Sequence, residues 1–280
     1  MSRSGEIGRA LTEESQPSIW VAADSRITGD LGVLLDEGGK LFTLPVICRK
    51  PGDEGFFSVP YFTQQVGVAC VGGALIYQQV YTCAIPILSN LIGLDGNYPG
   101  LEHIAAAVAR ITTRYVSSLG EKGYSKAHHV KLVLVGYCAV HERLEAHLLS
   151  SVFEEQMFAR FEAQPLPLDP NDPQFFGDKV EAAREALALE RHRVKDEIPI
   201  LWHRAPTRIV RQFIEDDQYP TIGGDVQFGY ILGSDFIRAT TVAPKVHGQR
   251  PAAMRLNNID LDEIGEVGPC MIGLTGMLGL

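Results

Sequence analysis

The chain of 280 residues is long enough for one large domain or two small ones, and 45% hydrophobic with 21% charged residues is an ordinary globular composition. Its formal charge of −9, without a run of lysine or arginine, argues against a non-specific surface for nucleic acid or anionic membranes. Five scattered cysteines without a C-x-x-C pair predict free thiols in a reducing compartment, so we expect a cytoplasmic protein.

The N-terminal segment "MSRSGEIGRALTEESQPS" is polar and predicts neither a secretory signal nor a membrane anchor. The segment 72–93 comes closest to an apolar span, but glutamine, serine, asparagine and proline interrupt it. We therefore expect no membrane partner.

Three strands are predicted next, from "SIWVAAD", "GKLFTLPVI" and "VGVACVG", with the loop "RKPGDEGFFSVP" before the third. The first apolar run ends in Asp24, and Lys40 opens the second. An acid and a base at the ends of buried strands indicate either a structural ion pair or a reaction.

Two helices follow. Gly72 and Gly73 open the first, which we expect to bend or end near Pro86. The second, "LEHIAAAVARITTRYVSSLG", has apolar residues at helical spacing, and we expect Gly120 to stop it.

The rest of the chain predicts strands, helices and strands again. "HVKLVLVGYCAV" and "RLEAHLLSSV" predict a hairpin around His141 and Glu142, and the proline-rich "EAQPLPLDPNDPQ" predicts a loop. A helix with Asp178 as N-cap and a second helix over about 206–215 precede a hairpin from "DVQFGYILG" and "DFIRATTVA".

This order of blocks predicts an α+β fold in which two sheets stack face to face with helices outside, because strands and helices do not alternate singly. We expect one domain over 1–245. The segment 246–280 has no clear periodicity and is predicted to be a C-terminal tail or extension.

"WVAADSRIT" resembles the "vlAaDsRaT" segment of proteasome β subunits and HslV-type peptidases, which are N-terminal nucleophile (Ntn) hydrolases. "GGKLFTL" is similar to the strand that carries the active-site lysine of that family, at the same separation of 16 residues from the aspartate. "VACVGGALIYQQ", "FFGDKVEAAREAL" and "YPTIGGDVQFGYI" resemble its glycine turns and glycine-pair strand, so that the similarity runs over about 7–242. The resemblance implies the αββα four-layer sandwich, two antiparallel sheets between helical layers.

The resemblance also implies a reaction. In that family the side chain of the first residue of the mature chain attacks an amide bond, and its own α-amino group is the general base. By resemblance Lys40 is the lysine that stays protonated beside the nucleophile, Asp24 holds that lysine, and the backbone N–H of Gly72 binds the oxyanion. We then expect a peptide or protein substrate, a homo-oligomeric ring, an activator or ATPase partner, and no cofactor. Asp24 and Lys40 are expected to meet across adjacent strands.

The nucleophile is the main departure, because no threonine begins this chain. Ser4 aligns near the nucleophile position but needs the loss of three residues, whereas Ser2 needs only the removal of methionine and a longer first hairpin. Thr12 lies too close to Asp24 to begin that strand. Three interpretations stay open: a serine peptidase, a chain whose true N-terminus starts further upstream, and an inactive subunit that serves as an assembly scaffold.

Two further positions differ from the family. Asp178 stands where the family has a serine, and Thr221 and Ile222 replace another serine near the candidate acids Asp216 and Asp217. These changes affect the support of the nucleophile rather than the fold.

Other candidate sites are weaker. Arg26 is an alternative partner for Asp24. His128 and His129 lack further ligands at metal-binding spacing, so we predict no metal site. Cys70 and Cys83 lie in apolar surroundings and are predicted to be core residues, not nucleophiles.

Overall fold

A computed structural model describes residues 18–29, 31–53, 55–93, 96–121, 129–153, 159–169, 171–195, 199–216, 218–242, 254–270, 272–273 and 277–279. The strands in these ranges are β1 (Trp20–Asp24), β2 (Ile27–Gly29), β3 (Gly32–Leu35), β4 (Leu41–Lys50), β5 (Val59–Val71), β6 (Leu91–Ile92), β7 (Lys131–Cys138), β8 (Arg143–Phe153), β9 (Ala159–Pro165), β10 (Val226–Leu232), β11 (Asp235–Val242), β12 (Met254–Leu256), β13 (Ile259–Asp260) and β14 (Met277–Gly279). The helices are α1 (Ala74–Leu88), α2 (Leu101–Glu121), α3 (Val180–Val194), α4 (Pro199–Glu215) and α5 (Leu261–Ile264).

The described strands form two larger sheets and one small hairpin. Sheet I has the order β6-β4-β5-β7-β8-β9, and sheet II has the order β1-β10-β11-β12-β13 with β14 added beside β11. Neighbours are antiparallel except for the pairs β4–β6 and β11–β14, which are parallel. Strands β2 and β3 form the separate hairpin. The chain is therefore an α+β protein, as its order of blocks predicts.

Sheet I is buried on both faces. Successive side chains of a strand point to opposite faces, and along β7 Leu132 and Leu134 join the cluster that contains residues of α1 and α2. Val133 and Val135 join a different cluster with Phe236 of sheet II. Sheet I thus packs against helices on one side and against sheet II on the other.

Contacts between elements place the remaining helices. Helix α1 packs on β4, and α2 packs on α1, β8 and β9. On the other sheet, α4 packs on β1 and β10, and α3 packs on α4. No helix in the described ranges has both the length and the apolar character needed to cross a membrane.

The two helices after β5 follow their apolar spacing. The buried residues of α2 include Leu101, Ile104 and Val108, as predicted, but the helix continues through Gly120 to Glu121. Pro86 lies within the last turn of α1, which ends two residues later at Leu88. Proline has no N–H to donate to the carbonyl four residues earlier and so opposes continuation of the helix, and the predicted end near Pro86 is confirmed.

Three predicted boundaries are wrong, two of them because pairing with the preceding strand overrides local composition. Part of the proline-rich loop forms β9, which pairs with β8 and buries Phe161. Pro165 ends this strand at the edge of the sheet, where a missing N–H costs little. Strand β5 begins at Val59, inside the predicted loop. Helix α4 begins at Pro199, well before the predicted start at 206.

The predicted N-cap of α3 is also wrong. The cap residue is Lys179, with a left-handed φ of 60° and no side-chain hydrogen bond to the first turn. Asp178 therefore precedes the cap and does not perform the role that its sequence spacing predicts.

The predicted tail contributes strands to sheet II. Strand β12 pairs with the end of β11, where Met254 faces Val242, and β14 runs parallel to the same strand. The domain boundary at 245 stays a prediction.

Candidate active site

Asp24 and Lys40 form an ion pair. Lys40 Nζ donates to Asp24 Oδ1 at 2.7 Å, and the side chains are only 16% (Asp24) and 19% (Lys40) exposed. The second carboxylate oxygen, Oδ2, accepts the backbone N–H groups of Arg26 at 3.1 Å and Gly223 at 3.2 Å. Asp24 thus has hydrogen-bond donors at both oxygens, one ammonium group and two backbone N–H groups.

Arg26 does not compete for this carboxylate with its side chain. Its guanidinium binds Asp36, with Nε donating to Oδ1 at 2.6 Å and Nη2 donating to Oδ2 at 3.2 Å. The alternative pairing of Arg26 with Asp24 is therefore limited to the backbone N–H.

The pair joins the two sheets rather than neighbouring strands of one sheet. Asp24 ends β1, which pairs with β10 in sheet II, whereas Lys40 directly precedes β4 in sheet I. The expectation of adjacent strands is wrong, because the chain crosses from one sheet to the other between Asp24 and Lys40.

Gln227 holds the backbone on which Lys40 sits. Its Oε1 accepts the N–H groups of Lys40 at 3.0 Å and Leu41 at 2.9 Å, and its Nε2 donates to the carbonyl of Gly38 at 2.6 Å. Gln227 is buried on β10, so this single side chain fixes the start of β4 against sheet II. Sequence reasoning missed it, although a glutamine within the apolar strand "DVQFGYI" is a signal of a buried polar role.

Gly72 lies close to the same point. The carbonyl of Lys40 accepts the N–H of Cys70 at 2.8 Å, two residues before Gly72. Gly72 has φ +89°, and an added Cβ would lie 2.5 Å from the carbonyl oxygen of His129. Both its conformation and its surroundings therefore require glycine, and the predicted turn after β5 is confirmed.

The glycine pair before β10 fits against the residues that follow Asp24. Gly224 has φ +76°, and a Cβ there would lie 2.2 Å from Ser25 Oγ. Ser25 Oγ donates to the carbonyl of Asp36 and accepts the N–H of Asp225 at 2.7 Å. The two glycines therefore let the turn before β10 lie close to Ser25 and Arg26.

A buried tyrosine completes this region and was also missed by sequence reasoning. Burial raises the pKa of Tyr77, and the negative charge of Asp24 raises it further. Its hydroxyl oxygen is buried without a hydrogen-bond partner among the described residues. Burial also raises the pKa of the Cys70 thiol, and Cys70 is a core residue, as predicted. Cys83 is only half-buried.

Other predicted residues lie elsewhere or outside the described ranges. Ser2, Ser4 and Thr12 fall in the segment 1–17, and Asp217 and His128 are also outside. Asp216 Oδ1 accepts the N–H of Gln218, so this carboxylate stabilises the turn after α4. The structure thus brings together Asp24, Lys40 and Gly72 of the predicted set.

No known family model matches this chain, and no curated protein sequence matches it significantly.

Proposed function

We propose that the chain is a proteasome-like Ntn hydrolase that cleaves amide bonds in a peptide or protein substrate. The observation that supports this most is the Lys40–Asp24 ion pair of 2.7 Å, held between the sheets beside the turn at Gly72. Its residue types, separation and neighbouring glycine turn are those that the resemblance implies.

The layering supports the same proposal. Helices α1 and α2 cover one face of sheet I, β11 of sheet II packs against its other face, and α4 covers sheet II. We propose that this arrangement is the αββα sandwich of Ntn hydrolases.

In the proposed reaction, the hydroxyl of the first residue of the mature chain attacks the substrate carbonyl, and the α-amino group of that residue takes the proton. Ser2 and Ser4 are the candidates in this sequence. The proton then passes to the leaving amine, and water hydrolyses the acyl-enzyme ester to release the acid and restore the hydroxyl. Gly72 supplies an N–H to the oxyanion of each tetrahedral intermediate.

Lys40 has the donors that this role needs. An ammonium group carries three N–H bonds, and among the described residues Nζ donates only to Asp24. Its other donors are left for water or for the nucleophile oxygen. Its positive charge favours the deprotonated form of a neighbouring hydroxyl and a neutral neighbouring amine.

The cellular setting belongs to the proposal as well. We place the protein in the cytoplasm. We propose that it forms a homo-oligomeric ring that binds an activator or ATPase partner. Size-exclusion chromatography with light scattering tests the ring, because a monomeric mass at micromolar concentration contradicts it.

The competing proposal is an assembly subunit with the same fold and no chemistry. It is favoured by Asp24 Oδ2, which binds two backbone N–H groups and so has a structural role whether or not Lys40 acts in a reaction.

A covalent probe separates the two proposals. A peptide epoxyketone reacts with a hydroxyl and an amine on the same residue, and intact mass spectrometry counts the adducts. We expect one adduct per chain on a protein that has lost at least Met1. A folded chain that retains Met1 and stays unmodified contradicts the hydrolase proposal and supports the assembly subunit.

Two lysines around β4 provide a matched pair of variants. Lys40 precedes the strand, and Lys50 is its exposed last residue. We expect Lys40→Met to abolish labelling and Lys50→Met to leave its rate unchanged. Equal labelling of both variants contradicts a role for Lys40.

A further inference from the structure

A second cluster of reactive side chains lies at the opposite end of sheet I. It contains Glu102 in the first turn of α2, Cys138 at the end of β7, His141 in the following turn, and Glu145 on β8. Strand β7 runs from Lys131, which pairs with Val71 beside Gly72, to Cys138. At about 3.3 Å per residue the two ends of this strand are roughly 23 Å apart, so the cluster is separate from the Lys40 site.

Four potential ligand atoms converge in this cluster, all within 4.8 Å of one another. His141 Nδ1 lies 3.4 Å from Cys138 Sγ, 2.8 Å from Glu145 Oε1 and 3.9 Å from Glu102 Oε2. Ligands of a tetrahedral zinc ion, at bond lengths of about 2.0–2.3 Å, are roughly 3.3–3.6 Å apart. The observed separations scatter around that range, so small side-chain movements place all four around one ion.

The carboxylate of Glu102 gives an independent observation that points to a cation. Its Oε2 is buried and has no hydrogen-bond partner among the described residues, and its contact with His141 is a long one of 3.9 Å. A buried carboxylate oxygen without a donor is costly, and a bound cation removes that cost.

Backbone contacts fix the position of the Cys138 sulfur. Its Sγ accepts the N–H of Leu101 at 3.5 Å, at the start of α2. Cys138 itself is buried, at 1% exposure. A buried thiolate beside an imidazole is the kind of ligand set that zinc and similar transition metals prefer over calcium or magnesium.

The cluster is not arranged as a nucleophilic triad. In a Cys-His-Glu triad the thiol and the carboxylate contact different ring nitrogens of the histidine. Here both Cys138 Sγ and Glu145 Oε1 approach Nδ1 of His141. The three atoms thus lie together on the Nδ1 side of the ring, where one ion can contact them all.

Nearby basic side chains lie around the cluster and not at its centre. The guanidinium of Arg143 donates to Glu145 Oε1, but the Arg143 side chain is 70% exposed and free to turn outward. His147 Nε2 lies 3.6 Å from Glu145 Oε2, and His103 Nδ1 lies 3.0 Å from Glu102 Oε1. Arg143 and His147 thus contact Glu145 from outside the cluster, as second partners of metal ligands commonly do.

We propose that Glu102, Cys138, His141 and Glu145 bind one divalent transition-metal ion, with zinc as the best match. The ion ties the first turn of α2 to the β7–β8 hairpin. An open cavity of about 440 Å³, lined by Glu102, His141, Glu145 and the segment 165–168, gives it a route from solvent. This proposal does not depend on the hydrolase function.

Metal binding is tested on the full chain, reduced and freed of metal by a chelator. After addition of Zn²⁺ and desalting, we expect about one zinc per chain by elemental mass spectrometry, together with a higher Tm. Cobalt(II) is expected to give a thiolate-to-metal charge-transfer band in the near ultraviolet. Wild-type protein that retains no zinc and gives no such band overturns the proposal.

Substitution of the partly exposed ligands is expected to leave the protein folded. His141→Ala and Glu102→Gln remove ligands at partly exposed positions, and we expect each to weaken zinc binding by roughly 100-fold or more, the upper end of the loss seen for second-shell partners. Cys138→Ser should remove the cobalt band. The matched controls His203→Ala and Cys270→Ser change exposed residues outside the cluster and should bind as the wild type does. Equal binding by all five variants contradicts the assignment.

Discussion

The segment from Asp24 to Lys40 forms two ion pairs, Arg26–Asp36 and Lys40–Asp24. Their cations differ in how many protein acceptors they contact. Arg26 donates to both oxygens of Asp36 and to the carbonyls of Pro220 and Ile222, so its guanidinium group is bound to several protein acceptors. Lys40 Nζ donates to Asp24 and to no other described residue. The Arg26–Asp36 pair connects chain segments. The Lys40–Asp24 pair leaves N–H groups of Lys40 without a described acceptor at the point where the two sheets meet.

The two pairs also differ in exposure. Asp36 is 36% exposed and Asp24 only 16%, so we call Arg26–Asp36 the outer pair and Lys40–Asp24 the inner pair. Water screens the outer pair, and exposed pairs of this kind contribute about 0–1 kcal/mol to stability. The inner pair is partly desolvated, so its charges act more strongly on any group placed beside them. Similar geometry at the two pairs therefore predicts different consequences of substitution.

The largest expected effect separates the two pairs by reactivity. We expect Asp24→Asn to lower the rate of epoxyketone labelling by roughly 10²–10³-fold, since Lys40 loses the charge that positions it. Asp36→Asn should leave the rate per folded molecule unchanged. Labelling kinetics by intact mass, with the folded fraction taken from circular dichroism, measure both. Equal rates in the two variants would show that the inner pair is as structural as the outer one.

The turn beside the inner pair should tolerate only glycine. Gly72→Ala is expected to lower the free energy of unfolding by roughly 2–4 kcal/mol, because a positive φ and the carbonyl of His129 both oppose a Cβ. Gly73 has φ −50°, and a Cβ there would meet only Ile76, at 3.3 Å. Gly73→Ala should therefore cost less than about 1 kcal/mol. Urea denaturation compares them, and similar losses would contradict this account of the turn.

Gln227 holds the backbone on which Lys40, the cation of the inner pair, is placed. Gln227→Leu leaves the N–H groups of Lys40 and Leu41 and the carbonyl of Gly38 without this partner. We expect a loss of roughly 2–3 kcal/mol in unfolding free energy and slower labelling. The control Gln218→Leu changes an exposed residue and should stay within about 0.5 kcal/mol of the wild type. An unchanged labelling rate in Gln227→Leu would remove its positioning role.

The smallest expected effect concerns the outer pair and pH. The hydrogen bond from Arg26 lowers the pKa of Asp36, burial opposes this, and the charge of Arg26 adds to the lowering, so the pKa lies below its ordinary value of 3.8. A lowered folded-state pKa stabilises the fold above the ordinary value, and this stabilisation is lost as the pH falls through the lowered pKa. The difference in unfolding free energy between wild type and Asp36→Asn should be about 0.5–1 kcal/mol at pH 7 and shrink below about pH 4. A difference that grows on acidification contradicts the sign.

The positions of several strands along the chain were predictable because their sequence signals are local. The apolar runs of β1 and β4 and the Gly233–Ser234 turn between β10 and β11 are visible in short windows of sequence. The acid and base at the ends of the first two runs were predictable as a pair for the same reason. Their placement between two sheets was not, because it depends on β1 pairing with a strand about 200 residues later.

The unpredicted features of the sites depend on contacts between elements. Gln227 reaches Lys40 across 187 positions, and β9 forms only because β8 offers it an edge. The metal cluster carries a local signal, Cys138 and His141 followed by Glu145, but this signal lacks its fourth member. Glu102 joins it only through the packing of α2 on sheet I. Sequence patterns specify the elements here, whereas the sites arise where the elements meet.

The central claim is that the ammonium of Lys40 activates a hydroxyl on the first residue of the mature chain. Tandem mass spectrometry of the epoxyketone-treated protein tests this most directly, since it locates the adduct along the chain. The account predicts an adduct on the amino-terminal residue, Ser2 or Ser4 in this sequence, that is absent from Lys40→Met. An adduct on an internal residue, or one that persists in folded Lys40→Met, would contradict it.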